Sequence, residues 1–297
     1  MKFGPALLSL SLAVAGSSMA PAQDTSTPAN STPVLQITVE YLKPYKGGMA
    51  HDKTESAFVA AFRQAKSPAY YIGMNAMSGK SRALFMTRYA SFAEWEKINK
   101  MQGENAELSS AIENAGLADG ELLDELDSMV FTYNPELSYH SHSDLQNHRV
   151  YQITVFRVRL GHRKDWADVV KMVKDAHDKM GDKAHWGMYE MAYGGAEGTY
   201  IVISGDPSAS VIDDAMASGK KFVEAMGGEE AMAKLDQLYG AAVESSHSEL
   251  FSVNPRQSYV SDDWIKQDPD FWNPKPQQAD AKPAEKTVAA APVSGSR

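Results

Sequence analysis

The side chains with the clearest chemical potential lie close together in the second half of the chain. His185, Trp186, Tyr189 and Glu190 fall on one stretch that is predicted to be a strand. Because side chains alternate between the two faces of a strand, His185 and Tyr189 share one face and the other two residues share the opposite face. A histidine can act as a general base or a ligand near neutral pH. His185 and Tyr189 are therefore our candidate catalytic residues, although His185 is also consistent with an exposed histidine at a strand end.

A second histidine, His177, lies within an apolar stripe of helical spacing. The stripe predicts an amphipathic helix, and its members are Trp166, Val169, Val170, Val173, His177 and Met180. We favour a core histidine that bonds a carbonyl, and the alternative is an axial haem ligand. His140, His142 and His148 have spacing typical of metal ligands but lie in a polar linker without ordering carboxylates. We therefore predict no metal site, with His177 as the one haem-ligand candidate.

Two other predicted strands carry matching polar side chains. Gln36 and Thr38 alternate with apolar residues in one strand, and Gln152 and Thr154 do so in the other. If helices cover the apolar faces, these polar side chains point into a space between two sheets. Buried amides and hydroxyls need partners, which a small polar ligand would supply. The four residues are our candidate ligand-binding residues, and the alternative is that they satisfy one another across a filled interior.

Composition and charge narrow the classes of function. The chain has 297 residues, with 29 Lys and Arg against 38 Asp and Glu, and it contains no cysteine. The net charge of −9 argues against a nucleic-acid partner, because nucleic-acid affinity depends on clustered cations. Without cysteine there is no disulfide, thiolate metal site or cysteine nucleophile. The sequence identifies no cofactor, and we expect the protein to act without one.

The elements that position these residues occur twice. Val34–Val39 returns as Val150–Val155, a shift of 116 residues, from 34 to 150. Ser128–Tyr139 returns as Ser248–Tyr259, a shift of 120 residues, from 128 to 248. The two shifts differ by only four residues, so both copies have the same order with one small insertion. We infer an internal duplication.

Each copy is predicted to contain a strand, a helix, two strands about a glycine turn, a helical region and a final strand. This β-α-β-β-α-β order is the ferredoxin-like arrangement. On this order, the duplication and the openings Val34–Val39 and Val150–Val155, the sequence resembles the dimeric α+β barrel superfamily, which includes antibiotic-biosynthesis monooxygenase-like and NIPSNAP-like proteins. The resemblance implies an α+β fold in which two ferredoxin-like repeats form an intramolecular barrel, a pseudo-dimer, with a cavity between the sheets. The resemblance also implies haem as an alternative ligand, since some duplicated barrels of this superfamily bind haem.

The ends of the chain differ from its body. Lys2, a short apolar run and the small residues up to Ala22 are typical of a signal peptide. We expect cleavage after Ala22, export to the periplasm or outside the cell, and no membrane span. The predicted divisions are a signal peptide (1–22), a first repeat (33–139), a linker (140–149), a second repeat (150–260), a docking segment (261–272) and a disordered tail (273–297).

Three functions remain compatible with the sequence. The first is an exported module that binds a small molecule in a polar pocket between the sheets. The second is an oxidoreductase that resembles the cofactor-free monooxygenases, and the third is a haem protein. The sequence does not decide between an enzyme and a binding module. For the assembly, we expect a monomer with pseudo-dimeric repeats or a weak homo-oligomer.

Overall fold

The computed structural model describes residues 32–141 and 145–274, which contain eight strands, nine α-helices and one short 3-10 helix, Leu145–Asn147. The predicted signal peptide and nearly all of the predicted tail lie outside these residues, as does His142. The first half runs β1 (Val34–Leu42), α1 (Met49–Gln64), β2 (Tyr71–Ala76), β3 (Arg82–Tyr89), α2 (Phe92–Glu104), α3 (Ala106–Gly120) and β4 (Leu123–Tyr133). The second runs β5 (Val150–Val158), α4 (Arg163–Met180), β6 (Gly187–Tyr193), β7 (Thr199–Asp206), α5 (Ser210–Ala217), α6 (Gly219–Met226), α7 (Glu229–Ala242) and β8 (Val243–Val253). Two short helices follow, α8 (Asp262–Gln267) and α9 (Pro269–Trp272).

All eight strands form one closed antiparallel barrel in the order β1-β3-β2-β8-β5-β7-β6-β4. Within the first half the spatial order is β4-β1-β3-β2, and within the second it is β8-β5-β7-β6. These are the two ferredoxin-like orders that the sequence predicts. The halves meet where β2 pairs with β8 and where β4 pairs with β6. The prediction of a mixed α+β fold is confirmed.

The two faces of the strands are oriented opposite to our expectation. Ile37, Val39 and Ile153 belong to one apolar cluster that both halves share in the barrel interior. The alternate face lies under the helices, because the Phe156 ring packs 4.8 Å from the Trp166 ring of α4. Alternation separates two faces but does not tell which one the helices cover when both are buried. The assumption that the polar side chains point between the sheets is therefore wrong.

Two helix boundaries differ from the sequence pattern, which predicts Asp52 as the cap of α1 and breaks near Gly103 and Gly116 in the helical region before β4. Asp52, the expected cap of α1, lies inside that helix, which begins after Gly48. The helical region before β4 breaks at Asn105, whose side chain accepts a hydrogen bond from the Leu108 backbone at 3.0 Å, whereas Gly116 continues α3. An amide side chain at such a break caps the next helix. None of the helices within the described ranges has the length and apolar character needed to cross a membrane.

The segment after each half's last strand packs on the other half. Asn254 donates its backbone N–H to the carbonyl of Gly73 in β2 at 2.9 Å, and Tyr71 and Tyr259 form a β-bridge. The same contacts recur in the second half, where Asn134 donates to the carbonyl of Met188 at 2.9 Å. Each half therefore depends on the other for the cover of its sheet.

The close approach at Gly73 gives a first prediction. A Cβ atom at this position would lie 2.3 Å from the backbone oxygen of Gln257. We expect Gly73→Ala to destabilise the protein by about 1–3 kcal/mol, because backbone atoms would have to move apart. In Gly116→Ala the new Cβ meets only ordinary contact with Phe58 at 3.9 Å, so this control should be neutral or stabilising. Urea unfolding measures the stability of both variants. Equal stability would contradict the close approach of the Gln257 backbone to Gly73.

Candidate metal centre

Four ionisable side chains meet between the sheet and the helices of the first half. Glu40 comes from β1, His51 and Glu55 from α1, and Asp119 from α3. One potential ligand atom of each lies within 4.8 Å of all the others. All four are buried, with exposed fractions of 8% for Glu40, 0% for His51, 3% for Glu55 and 2% for Asp119. The structure thus gathers three carboxyl groups and an imidazole away from solvent.

One nitrogen of the His51 ring faces all three carboxyl groups. Its Nε2 lies 3.0 Å from Glu40 Oε2, 3.5 Å from Asp119 Oδ1 and 3.9 Å from Glu55 Oε1. His51 and Glu55 are four residues apart on α1, so they occupy one face of the helix. That face points at β1, which supplies Glu40, and lies beside α3, which supplies Asp119. These groups are the ligand types that divalent transition metals use.

Burial makes the charged forms of these groups costly. Loss of solvation, with added repulsion from Glu40 and Asp119, raises the pKa of Glu55 to about 10. Burial also raises the pKa of Glu40, although its hydrogen bond with His51 opposes the increase. Without a cation, retained protons would reduce the mutual repulsion of the carboxyl groups. A bound cation would remove that repulsion directly.

Three buried polar atoms at or near this cluster have no hydrogen bond among the described residues. Glu55 Oε1, Tyr71 Oη and Gln257 Oε1 are buried and have no hydrogen-bond partner among the described residues. Burial raises the pKa of Tyr71 well above its ordinary value, and the charges of Glu55 and Glu40 add to the effect. Native proteins leave few buried polar groups unsatisfied. The Glu55 oxygen, directed at His51 and the other acids, is an available ligand atom.

A second layer of hydrogen bonds orients the potential ligands. Thr54 donates to Asp119 Oδ1 at 2.5 Å. Gln257 Nε2 lies 3.2 Å from His51 Nδ1 and donates to Asp52 Oδ1 at 2.9 Å. Asn254 also donates to Asp52, at 2.7 Å. Partners such as Thr54 and Gln257 hold metal ligands in a fixed direction. Gln257 comes from the other half of the chain, as does Asn254, which holds Asp52.

The equivalent place in the second half is apolar. Glu40 is the seventh residue of β1, and Phe156 is the seventh of β5. Phe156 packs on Trp166 of α4 at 4.8 Å and on Tyr239 of α7 at 6.4 Å between ring centroids. Tyr239 precedes β8 by four residues, as Asp119 precedes β4. The fold therefore does not require charged groups here, and the first half buries them for another reason.

The four predicted ligand-binding residues lie apart from this centre. The Gln36 side chain contacts Ser128 and Tyr89, both at 3.4 Å. Thr154 bonds Ser248 at 2.9 Å, and Gln152 donates to Asp206 at 3.4 Å. Thr38 shares the Gln36 face of β1, on the side where Glu40 meets α1. Neighbouring strands thus supply partners for three of the four, and their ligand-binding role stays a prediction.

The predicted catalytic and haem residues also lie outside this cluster. Both ring nitrogens of His185 face backbone carbonyls, of Lys183 at 3.1 Å and of Gly205 at 2.9 Å. Tyr189 packs within the barrel-interior cluster and against the Tyr133 ring at 5.4 Å. His177 is buried on α4, and its Nδ1 lies 2.7 Å from Asp182 Oδ2, so its partner is a carboxylate rather than a carbonyl. Their proposed roles stay predictions.

The sequence contained part of the signal for the metal centre. His51 and Glu55 have helical i, i+4 spacing, and Glu40 lies on the polar face of the first strand. Asp119 is 64 residues beyond Glu55, from 55 to 119, and only the packing of α3 on α1 brings it close. Sequence reasoning missed the centre because it treated α1 as a core helix with Asp52 as its cap.

Comparisons with known proteins support the fold. No protein-family profile and no curated protein matches the chain. A presumed monooxygenase from Fusobacterium nucleatum aligns with a TM-score of 0.50 and 10% identity, over 75% of this chain and 93% of that one. An anthrone oxidase-like protein also aligns with a TM-score of 0.50 and 10% identity, over 78% and 95%. A haem-binding protein from Thermus thermophilus aligns with a TM-score of only 0.43 and 12% identity, over 77% of this chain and 93% of that one. The first two likenesses bear on the fold alone, and they agree with the α+β barrel of ferredoxin-like halves that the sequence predicts.

A further histidine, His148, is buried where the final segment docks. Its ring lies 5.7 Å from the rings of both Tyr151 and His185. Nearby, the guanidinium of Arg149 lies 3.7 Å above the Phe271 ring, and Trp272 donates to the carbonyl of Gln146 at 3.0 Å. Burial, with repulsion from His185 and Arg149, lowers the pKa of His148 to about 4.

This lowered pKa predicts a loss of stability in acid. Below pH 6.5 the unfolded chain binds a proton at His148, whereas the folded protein excludes it until the pH approaches about 4. Stability should therefore fall across this window by up to about 3 kcal/mol from this group. Urea unfolding as a function of pH should show a shallower decline for His148→Gln than for the control His247→Gln, which alters an exposed residue of β8. Parallel declines in both variants would refute this assignment.

Proposed function

We propose that this protein binds one divalent transition-metal ion through Glu40, His51, Glu55 and Asp119. One observation carries the proposal: four ionisable side chains surround one buried point, and Glu55 Oε1 has no hydrogen bond among the described residues. The apolar packing of Phe156 and Trp166 in the second half argues that this polarity is not needed for folding. Leaving such a cluster without a cation would cost free energy of burial and repulsion.

The ligand set defines the class of metal. One imidazole and three carboxylates favour Mn²⁺, Fe²⁺ or Zn²⁺, and the absence of cysteine disfavours the thiolate-seeking ions. When all three carboxyl groups are ionised, a divalent ion balances two of their three negative charges. Because protons and the metal compete for these groups, binding should release protons.

The residues of the centre would have different roles in holding the ion. Glu40, Asp119 and Glu55 supply oxygen ligands, and His51 supplies nitrogen. Thr54 fixes the Asp119 carboxylate through its hydrogen bond at 2.5 Å. The surrounding layer of α1, α3 and the sheet excludes water, which strengthens the attraction between ion and carboxylates. Such an ion supplies Lewis acidity, or electron transfer if it is redox-active.

We also propose how the two halves are related, where the protein acts and how it assembles. The two halves would be copies of one unit that forms an intramolecular pseudo-dimer, and their matched contacts at Gly73 and Met188 support this. The protein would be exported and would act as a monomer or a weak homo-oligomer. Small-molecule binding and a monooxygenase-like reaction are the alternative functions. The names of the two structural neighbours fit a monooxygenase-like reaction. At 10% identity, however, those neighbours bear on the fold alone.

Metal binding can be tested by metal analysis and calorimetry. The native protein, stripped with chelator and dialysed against Mn²⁺ or Zn²⁺, should retain one ion per chain. Glu55→Gln should weaken binding at least roughly tenfold, because it replaces a charged oxygen ligand by an amide. Its metal-free fold should be at least as stable as the native one, since a buried ionisable group is removed.

Glu113→Gln provides the matched control for this test. Glu113 is an exposed glutamate on α3, and its replacement should leave both stoichiometry and affinity unchanged. Absence of a bound ion in the native protein, or equal binding by Glu55→Gln, would refute the metal assignment.

The proposed export has its own test. Expression of the whole chain in a Gram-negative host should give a protein that osmotic shock releases and whose first residue is Gln23. Replacement of Ala20 and Ala22 by bulky residues should leave the leader attached, because the peptidase requires small side chains at these positions. An unprocessed native chain that stays in the cytosol would contradict export.

A further inference from the structure

Gln257 reaches the metal centre from the other half of the chain. It lies after β8, in the segment that crosses β2, and it is 0% exposed. The absent side chain at Gly73 makes room for its backbone. Its side chain is therefore held between β2 and α1, beside the ring of His51.

The amide of Gln257 determines which nitrogen of His51 carries the hydrogen. Gln257 Nε2 lies 3.2 Å from His51 Nδ1 and donates to Asp52 Oδ1 at 2.9 Å. An amide nitrogen is only a donor, so Nδ1 must accept. The ring hydrogen of neutral His51 is then on Nε2, which lies 3.0 Å from Glu40 Oε2 and donates to it. This contact fixes both the orientation of the ring and the direction of its Nε2 atom.

The opposite requirement holds when Nε2 binds a metal. Its lone pair then points at the ion, so the ring hydrogen sits on Nδ1 and needs an acceptor. Gln257 Oε1 belongs to the same amide and has no hydrogen bond among the described residues. Rotation about the last side-chain bond brings Oε1 to the place of Nε2, 3.2 Å from His51 Nδ1 but also 2.9 Å from Asp52 Oδ1. The Asp52 carboxylate must then turn away from the amide, and Asn254, which donates to it at 2.7 Å, remains its partner. Gln257 can therefore serve His51 in both states.

The second half shows what the position contains when no such centre exists. Leu137 precedes Ser138 and Tyr139 as Gln257 precedes Ser258 and Tyr259. Leu137 packs against the apolar cluster of α4 and α7. A leucine therefore fits this place in the fold, and the amide at position 257 accompanies the polar centre.

We propose that Gln257 is the positioning residue of the metal centre: its amide holds the His51 ring with Nε2 turned to the three carboxyl groups and satisfies Nδ1. This rests on the proposed metal site. It makes the centre a joint product of both halves, because the ligands belong to the first half and their orientation depends on the second.

The first test is independent of metal. In the metal-free native protein, nitrogen-15 ring resonances of His51 should show an unprotonated Nδ1 and a protonated Nε2. Gln257→Leu should abolish this preference without preventing folding, as the leucine at the equivalent position indicates. A protonated Nδ1 in the native protein, or an unchanged tautomer in Gln257→Leu, would overturn the proposal.

The second test measures affinity for Zn²⁺ or Mn²⁺. Gln257→Leu should bind about 10- to 100-fold more weakly than the native protein, whereas Gln102→Leu, the same change on α2, should bind equally well. The double variant Gln257→Glu, Asp52→Asn keeps the net charge and gives His51 Nδ1 a permanent acceptor. Its affinity for the metal should therefore equal or exceed that of the native protein.

The outcomes separate the two claims. If the native protein binds no metal, the proposed function and the role of Gln257 in a metal centre both fail, and the tautomer experiment then decides only whether Gln257 orients the His51 ring. If the native protein binds metal and Gln257→Leu binds it equally tightly, the metal site stands and the positioning role is wrong.

Discussion

Closure of the sheet is the constraint on which the rest of the structure depends. Each ferredoxin-like half would end in strands with unpaired backbone groups, and the pairing of β2 with β8 and of β4 with β6 supplies their partners. A closed sheet with helices outside has two buried faces. The inner face is shared by both halves, whereas the outer face is divided into two separate helix–sheet layers. The candidate metal centre lies in one of these layers, so it can differ from its counterpart without disturbing the common interior.

Local patterns predicted most of the fold. The order of the elements could be predicted from two repeated segments, one that begins at Val34 and Val150 and one that begins at Ser128 and Ser248. The elements themselves could be recognised because strand alternation and helical stripes depend on near neighbours in the chain. The orientation of the strands was not predictable in the same way. Gln36 and Thr38 are more polar than Ile37 and Val39, but polarity identifies the solvent side only when one face meets water. Here both faces are covered, and the shared interior received the more apolar side.

The candidate site required information that the sequence does not carry. His51 and Glu55 were visible as a helical pair, yet such pairs are ordinary on exposed helices. Their significance comes from burial and from Glu40 and Asp119, which tertiary packing brings within 4.8 Å. The role of Gln257 was still harder to predict from the sequence, because this residue belongs to the opposite half. It lies beside His51 only because the segment after β8 packs on the first half, as the segment after β4 packs on the second.

Comparison of the two layers separates what folding requires from what the centre adds. In the second half, Phe156, Trp166 and Leu137 fill the layer with apolar contacts, which stabilise without any requirement for partners. In the first half, each ionised carboxyl group must offset a desolvation cost of several kcal/mol, and no apolar contact can do so. The compensation has to be electrostatic, and protons or a cation can supply it. Glu55 Oε1 lies 3.9 Å from His51 Nε2 and has no hydrogen-bond partner among the described residues. A proton-sharing network would require such a partner, whereas a cation between the four side chains would not, so a cation accounts better for the position of this atom.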